Sequence, residues 1–172
     1  MHADQIQKDR TERNRFLKEH YASPLPEEKR DSFTGLDYFP VDAEWVANGE
    51  YSDEDPHDVQ IPSTAGMENP YKKVGVVVVT VGSKSYRLTV LDDGDGDTFV
   101  PFRDATNGVE TYEGGRYVGL TSGTGSTVSI DFNLSRNPWC VYDEEFICPL
   151  PPSENWITAR IPAGEKTYHR PS

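Results

Sequence analysis

The chain has 172 residues, of which 35% are hydrophobic, and three Trp, nine Tyr and seven Phe supply the large groups a single core needs, so disorder throughout is excluded. Its 17 basic and 29 acidic residues give a net charge of −12. That balance argues against a general binder of nucleic-acid backbone, because neither a positive field nor a basic stripe is present. No window approaches the roughly 18 apolar residues of a membrane span, and Met1 is followed by His2, Ala3, Asp4 and Gln5 rather than by the basic and apolar regions of a secretory signal. The expected setting is therefore cytoplasmic, with no membrane partner.

The charge is uneven. Residues 1–30 hold seven basic and six acidic groups, whereas Asp42 to Asp58 holds seven acids and no Lys or Arg. Such a run reads either as a patch recruiting a cation or basic partner, or as a solvated surface that limits association, like the acidic surfaces of proteins from salt-loving archaea.

In chain order, residues 4–20 predict a long helix. Asp4 is positioned as an N-cap, the pairs Asp4/Lys8, Lys8/Glu12, Asp9/Arg13 and Arg15/Glu19 have i,i+4 spacing, and Phe16 and Leu17, with Ile6 and Tyr21, form a thin apolar stripe. Ser23-Pro24-Leu25-Pro26 ends it, and Glu27 to Phe33 suggests one more helical turn. Beyond Gly35 the pattern becomes short extended segments: Val59 to Ile61, then Lys72 to Leu91 folded about Gly82-Ser83 as a type II′ hairpin. The low alternation of Val76 to Val79 suggests burial on both faces.

Asp92 to Asp97 has the alternating carboxylates of a calcium loop, but position 12 counted from Asp92 or Asp93 is Arg103 or Asp104 rather than Glu, so a hairpin turn is expected there. Gly115 to Leu120 and Thr127 to Phe132 read as strands joined around Gly123 to Ser126, and Trp156 to Ile161 reads as a late strand. Together these pieces predict a mainly β protein: a single antiparallel barrel-like or curled-sheet domain with an N-terminal helix, divided as a helix over 1–22 packed on a mainly β domain over 23–172.

The densest polar motifs are Phe99 to Val118 and Asp131 to Cys140. Arg103 and Arg116 offer planar forks for carboxylates, Tyr112 a hydroxyl on an apolar ring, and Asp131 and Asn133 share a parity that directs both to one side of an extended segment. Arg103 and Asp104 serve equally as a structural ion pair or a cap for the turn at Thr106 to Gly108. Asp131 and Asn133 serve equally to satisfy nearby backbone, and Glu154-Asn155 to cap a local turn. Cys140 and Cys148 have seven residues between them and no sequence-local His, which leaves buried thiols, a disulfide or a reactive site open.

In Ser23-Pro24-Leu25, Gly35-Leu36-Asp37-Tyr38-Phe39-Pro40-Val41-Asp42, Phe99 to Thr106, Thr111-Tyr112 with Gly115-Arg116-Tyr117, Asp131-Phe132-Asn133, Asn137-Pro138, and Cys148-Pro149-Leu150-Pro151-Pro152 with Glu154-Asn155, the chain resembles a bacterial and archaeal family known as domain of unknown function 1684. The resemblance implies a soluble domain and carries no catalytic assignment. The residues themselves lead to a binding domain for a small polar or anionic molecule, with Arg103, Asp104, Tyr112, Arg116, Asp131, Asn133 and Glu154 as ligand-binding candidates. A hydrolase using Asp104, Asp131 or Glu154 for acid/base work is the alternative from another class, and a structural or protein-interaction module is a third. Neither a cofactor nor a metal is expected, and no oligomeric state is assigned.

Overall fold

In the computed structural model, residues 2–169 are described; Met1 and 170–172, at the outer limits of the two expected segments, lie outside the described residues. Helix α1 (His2–Glu19) is followed by the short α2 (Glu27–Arg30), and then by seven strands: β1 (Val46–Pro62), β2 (Glu68–Val81), β3 (Lys84–Asp92), β4 (Thr98–Phe102), β5 (Arg116–Val118), β6 (Thr121–Ser122) and β7 (Thr127–Asp131). They form one antiparallel sheet in the order β5-β4-β3-β2-β1-β7-β6, curled into a half-barrel. No helix among the described residues is long and apolar enough to cross a membrane.

The β2–β3 hairpin forms where the sequence places it. Val77 pairs with Leu88 and Val79 with Tyr86, and the turn uses Gly82 at φ +63° with Ser83 outside the positive-φ region, as a type II′ turn requires. One sheet face carries Val77, Val79, Leu88, Val90, Val100, Phe102 and Ile130 into the main core. Val76 is buried as well but Val78 is partly exposed, so burial on both faces is incomplete. The Asp-rich segment makes the expected turn: Asp93 Oδ1 accepts the backbone N–H of Asp95 and Asp97, and Asp92 Oδ1 that of Gly94.

Three expectations need correction. Strand β1 is far longer than the three residues Val59 to Ile61, since it runs 17 residues and pairs with β2 from Gly49/Val79 to Pro62/Glu68, with one irregularity between Asp53 and His57. Its middle is largely exposed and so lacks the apolar alternation of a half-buried strand. The second correction concerns Trp156 to Ile161, which is not a strand. Its alternation is real, with Ile157 and Ile161 buried and Trp156 and Thr158 exposed, but in place of a ladder it makes a single bridge from Trp156 to Arg103 and one further backbone bond, from Ala105 N to Ala159 O. Likewise β5 crosses to pair with β4, and the Gly123 to Ser126 turn joins β7 to the two-residue β6 instead.

Four of the seven acids of the run, Asp53, Glu54, Asp55 and Asp58, lie on the part of β1 beyond its pairing with β7, which ends at Glu50. Charges on such an edge oppose edge-to-edge association. Two of its acids pair across the strands, Asp58 with Lys72 at 2.7 Å and Glu54 with Lys73 at 3.1 Å. Exposed pairs of this type contribute about 0–1 kcal/mol each, so screening the net charge of −12 outweighs their loss. Urea unfolding midpoints are thus expected to rise as potassium chloride increases from about 0.1 to about 1 M, where the Debye length shrinks from about 10 to about 3 Å; a steady fall contradicts this account.

The half-barrel's open side is covered by residues 132–169, which contain only three short 3-10 turns. Helix α1 packs here with Ile6, Arg10, Arg13 and Leu17 as its buried stripe. Leu17 joins Leu25, Phe33, Val141 and Tyr142 in a second, smaller core.

Candidate functional site

Irregular chain buried against a sheet has backbone groups without ladder partners, and each must be satisfied by other means. Here buried polar side chains do so. Arg116, at the start of β5 and wholly buried, donates through Nη2 to Ile161 O at 3.1 Å and to Asp104 Oδ1 at 3.3 Å, and through Nη1 to the carbonyls of Ala163 and Glu165. Asp104, just past β4, also accepts the Ile161 N–H at 2.7 Å and the Thr106 hydroxyl at 2.8 Å. Burial pulls the Arg116 pKa down while Asp104 opposes that shift, and the guanidinium remains a cation.

Glu165, likewise wholly buried, is the second node. Its Oε1 accepts from Arg13 Nε at 3.0 Å, and its Oε2 from the Asn137 N–H at 2.7 Å and the Tyr142 hydroxyl at 3.0 Å. Burial disfavours the Arg13 charge, but the facing Glu165 outweighs it and the pKa rises. Gly164 sets the approach of this node: it has φ +79°, and a Cβ there would lie 2.7 Å from Ser135 O and 2.9 Å from Phe132 O. Arg10 of α1 donates to Phe39 O at 2.9 Å and lies over the Tyr38 ring.

The other candidates occupy separate networks. Asn133 pairs with both backbone groups of Asp42, accepting its N–H at 3.0 Å and donating to its carbonyl at 2.8 Å. Asp131 accepts from the Asn133 backbone and side chain and contacts His2 Nε2 at 2.6 Å. Glu154 accepts from the Thr89 hydroxyl at 3.0 Å. Its neighbour Asn155, wholly buried, bonds Thr89 N and O and Pro101 O, joining β3 to β4 where their ladder, confined to Leu91/Phe99 and Asp92/Thr98, has already opened. Arg103 lies over the Trp156 ring at 5.0 Å. The fold thus joins Asp104 to Arg116 and Asp131 to Asn133, while Arg103 and Glu154 have other partners.

Tyr112 alone among the seven candidates lines a surface cleft of about 590 Å³, together with Asp37, Glu110, Glu113, Lys166 and His169. The loop forming this wall is anchored to Asp104 through Thr106, whose hydroxyl meets that of Thr111 at 2.9 Å. Glu110 is engaged by Arg160 at 2.5 and 2.8 Å, which holds its carboxyl below the usual range. Lys166 Nζ lies over the Phe39 ring, and its backbone is fixed by Asp37 O and Asn137 Nδ2. Burial and the neighbouring Cys140 push the Tyr112 hydroxyl up to about 12.

Both cysteines, Cys140 and Cys148, are buried thiols. Cys148 and burial push the Cys140 thiol up, while Cys140 lowers Cys148 to about 7 against the burial of Cys148 itself. Sequence reasoning did not select Arg13, Tyr142 or Glu165. The one available signal was the pair of arginines Arg10 and Arg13, which lie with Ile6 and Leu17 on one stripe of an otherwise polar helix.

These features define a mainly β domain in which a curled antiparallel half-barrel is completed by irregular chain pinned on buried ion pairs. The chain belongs to the family described as protein of unknown function (DUF1684), whose family model matches residues 31–166. It is similar to the solution NMR structure of an uncharacterized protein of Haloarcula marismortui, with 36% identity, a TM-score of 0.73, and coverage of 95% of this chain and 93% of that one. None of the curated proteins matches the chain.

Proposed function

We propose that the chain binds a small polar, polyhydroxylated molecule in the cleft beside Tyr112 and Lys166. The observation that carries this reading is the lining itself: carboxylates of Asp37 and Glu113 to accept from ligand hydroxyls, Lys166 to donate, and Tyr112 at the wall, all set on a loop held by Asp104. Of the polar and anionic classes, the lining favours the polar one, because Asp37 and Glu113 repel an anion. In this reading Tyr112 meets the ligand, and Asp104 and Arg116 hold the wall that presents it. A hydrolase is less well supported, since Asp104, Asp131 and Glu154 each serve a different network and form no acid/base pair.

The test is a titration of isotope-labelled protein with a panel of monosaccharides and their phosphates. Amide shifts are expected at residues 108–113 and 166–167, and Lys166→Gln, which leaves the backbone bonds of that residue in place, is expected to weaken the best binder about tenfold, or about 1.4 kcal/mol. Shifts confined to other surfaces, or no shifts with any compound, reject this site.

A further inference from the structure

Two exposed segments distant in sequence meet just past the end of β1. The turn over 63–67 is closed by Ser63, whose N–H and hydroxyl both donate to Met67 O, at 3.0 and 2.8 Å. Thr64 of this turn accepts the Cys148 N–H at its hydroxyl and donates its own N–H to Cys148 O, both at 3.0 Å. Those bonds hold the turn against the end of the loop over 143–147, whose start is tied to the 3-10 turn Trp139–Val141 by Asp143 N to Trp139 O at 3.2 Å. On these segments large apolar side chains are open to water: Met67 at 61%, Ile147 at 58%, Trp139 at 41% and Phe146 at 36% exposure, the last two packed edge to face at 5.3 Å. Each alone would be ordinary for a protein surface. Together they leave on the order of 400 Å² accessible, the size of the largest apolar patch on a typical monomer and one that commonly marks an interaction site. The charged residues among them all have one sign, since 139–147 and 63–69 contain Asp143, Glu144, Glu145 and Glu68 and no Lys or Arg. Helix α2 brings Glu28 and Lys29 to the same hollow as Asp143, Glu144 and Glu145, one charge of each sign, so the rim stays negative.

We infer that the patch formed by Met67, Trp139, Phe146 and Ile147 is a docking surface for a short amphipathic segment of a partner protein, one in which Lys or Arg flank apolar side chains. The apolar centre supplies the burial and the acidic rim selects the sign: a basic segment sets its cations against Glu68 and Asp143 to Glu145, whereas an acidic one is repelled. A second copy of this chain is the wrong occupant on two counts. It brings an identical negative rim within a net charge of −12, and the patch is about half of the roughly 800 Å² per partner that a stable pair of proteins buries. A helix of about 12 residues, about 18 Å long, spans a patch of this size and presents apolar anchors at i, i+3 and i+7. Trp139 and Phe146 offer it flat, stiff faces and Met67 a flexible one that adapts to the anchor it meets. The main chain beneath is already fixed by the Ser63, Thr64 and Asp143 bonds, so little order is lost on binding. This surface shares no lining residue with the cleft beside Tyr112 and Lys166 and stands apart from the reading of that cleft.

The experiment titrates the isotope-labelled full chain with a synthetic amphipathic peptide of Leu and Lys, about 12 residues long, and in parallel with its Leu/Glu counterpart and with a Ser/Lys peptide of equal charge. The Leu/Lys peptide is expected to shift the amides of residues 64–68 and 143–147 and the indole signal of Trp139. The Leu/Glu peptide is expected to shift none of them, and the Ser/Lys peptide to bind at least about tenfold more weakly. Met67→Ser and Ile147→Ser alter exposed side chains, so both variants are expected to fold as the parent does, and each to weaken the Leu/Lys peptide about fivefold or more. The acidic run of β1 is the internal control, because Asp53, Glu54, Asp55 and Asp58 attract a cationic peptide by charge alone. Shifts at residues 53–58 that match those of the patch, equal binding of the Ser/Lys peptide, no shift at the patch, or unchanged affinity in both Ser variants overturns the inference. Self-association in sedimentation equilibrium that Ile147→Ser abolishes assigns the patch to a second copy instead. Co-sedimentation with phosphatidylcholine vesicles that the same variant abolishes assigns it to a membrane, and either result likewise overturns the inference.

Discussion

Glu165→Ala is expected to lower the unfolding free energy by about 3–5 kcal/mol, the cost of breaking a buried ion pair from one side. Arg13 would remain in a site where its side chain is 7% exposed, with its carboxylate partner gone. The same change strips the acceptor from the Asn137 N–H and the Tyr142 hydroxyl. Glu165→Gln keeps the shape and one acceptor oxygen but presents N–H groups where the carboxylate accepted, so its loss is expected to be smaller than that of Ala and still measurable. Urea denaturation at fixed pH and salt measures both. A loss below about 1 kcal/mol for Glu165→Ala, the scale of an exposed pair, contradicts the reading that this node holds α1 against the chain covering the sheet.

Asp104→Ala is expected to cost a similar amount, about 3–5 kcal/mol, because it leaves the wholly buried Arg116 facing only carbonyl oxygens. It also removes the acceptor for Ile161 N and for the Thr106 hydroxyl, and so releases the loop that walls the cleft. Asp104→Asn retains one oxygen and the side-chain volume, and is expected to remain folded with faster amide exchange over residues 106–112 than elsewhere. An increase spread evenly over the chain, at equal loss of global stability, contradicts the local anchoring of the wall. The two nodes share a neighbour, since Arg116 donates to the backbone carbonyl of Glu165. The losses from Asp104→Asn and Glu165→Gln are accordingly expected to be non-additive by more than about 0.5 kcal/mol in a double-mutant cycle.

Much of the fold is legible wherever a local rule has no competitor. The helix over 4–20 follows from i,i+4 charge pairs and a proline stop, and is observed over 2–19. Its buried face is another matter. Tyr21, read into the stripe, is 91% exposed, while Arg10 and Arg13 are buried. Nothing in a window of 18 residues distinguishes an arginine with a buried partner from a solvated one. The β2–β3 hairpin is legible because β-branched runs flank a Gly whose φ permits only a few turn types. The middle of β1 is not, because its side chains face water and its stability comes from the β2 ladder rather than from an apolar pattern.

The same division applies to the site. The sequence by itself determined the class: a mainly β domain with one helix, two dense polar motifs after β3, and a family membership carried by rare segments. These depend on composition, turn chemistry and periodicity, all read within a few residues. Which polar groups meet was decided only by the tertiary structure. Arg13 and Glu165 lie 152 positions apart, Asn133 and Asp42 lie 91 apart, and Arg116 reaches carbonyls 45 to 49 positions on. A carbonyl without a ladder partner at Ile161 or Ala163 leaves no mark in the sequence, because every residue has a carbonyl. It calls for a buried guanidinium only after an open half-barrel has been covered by chain that makes no ladder.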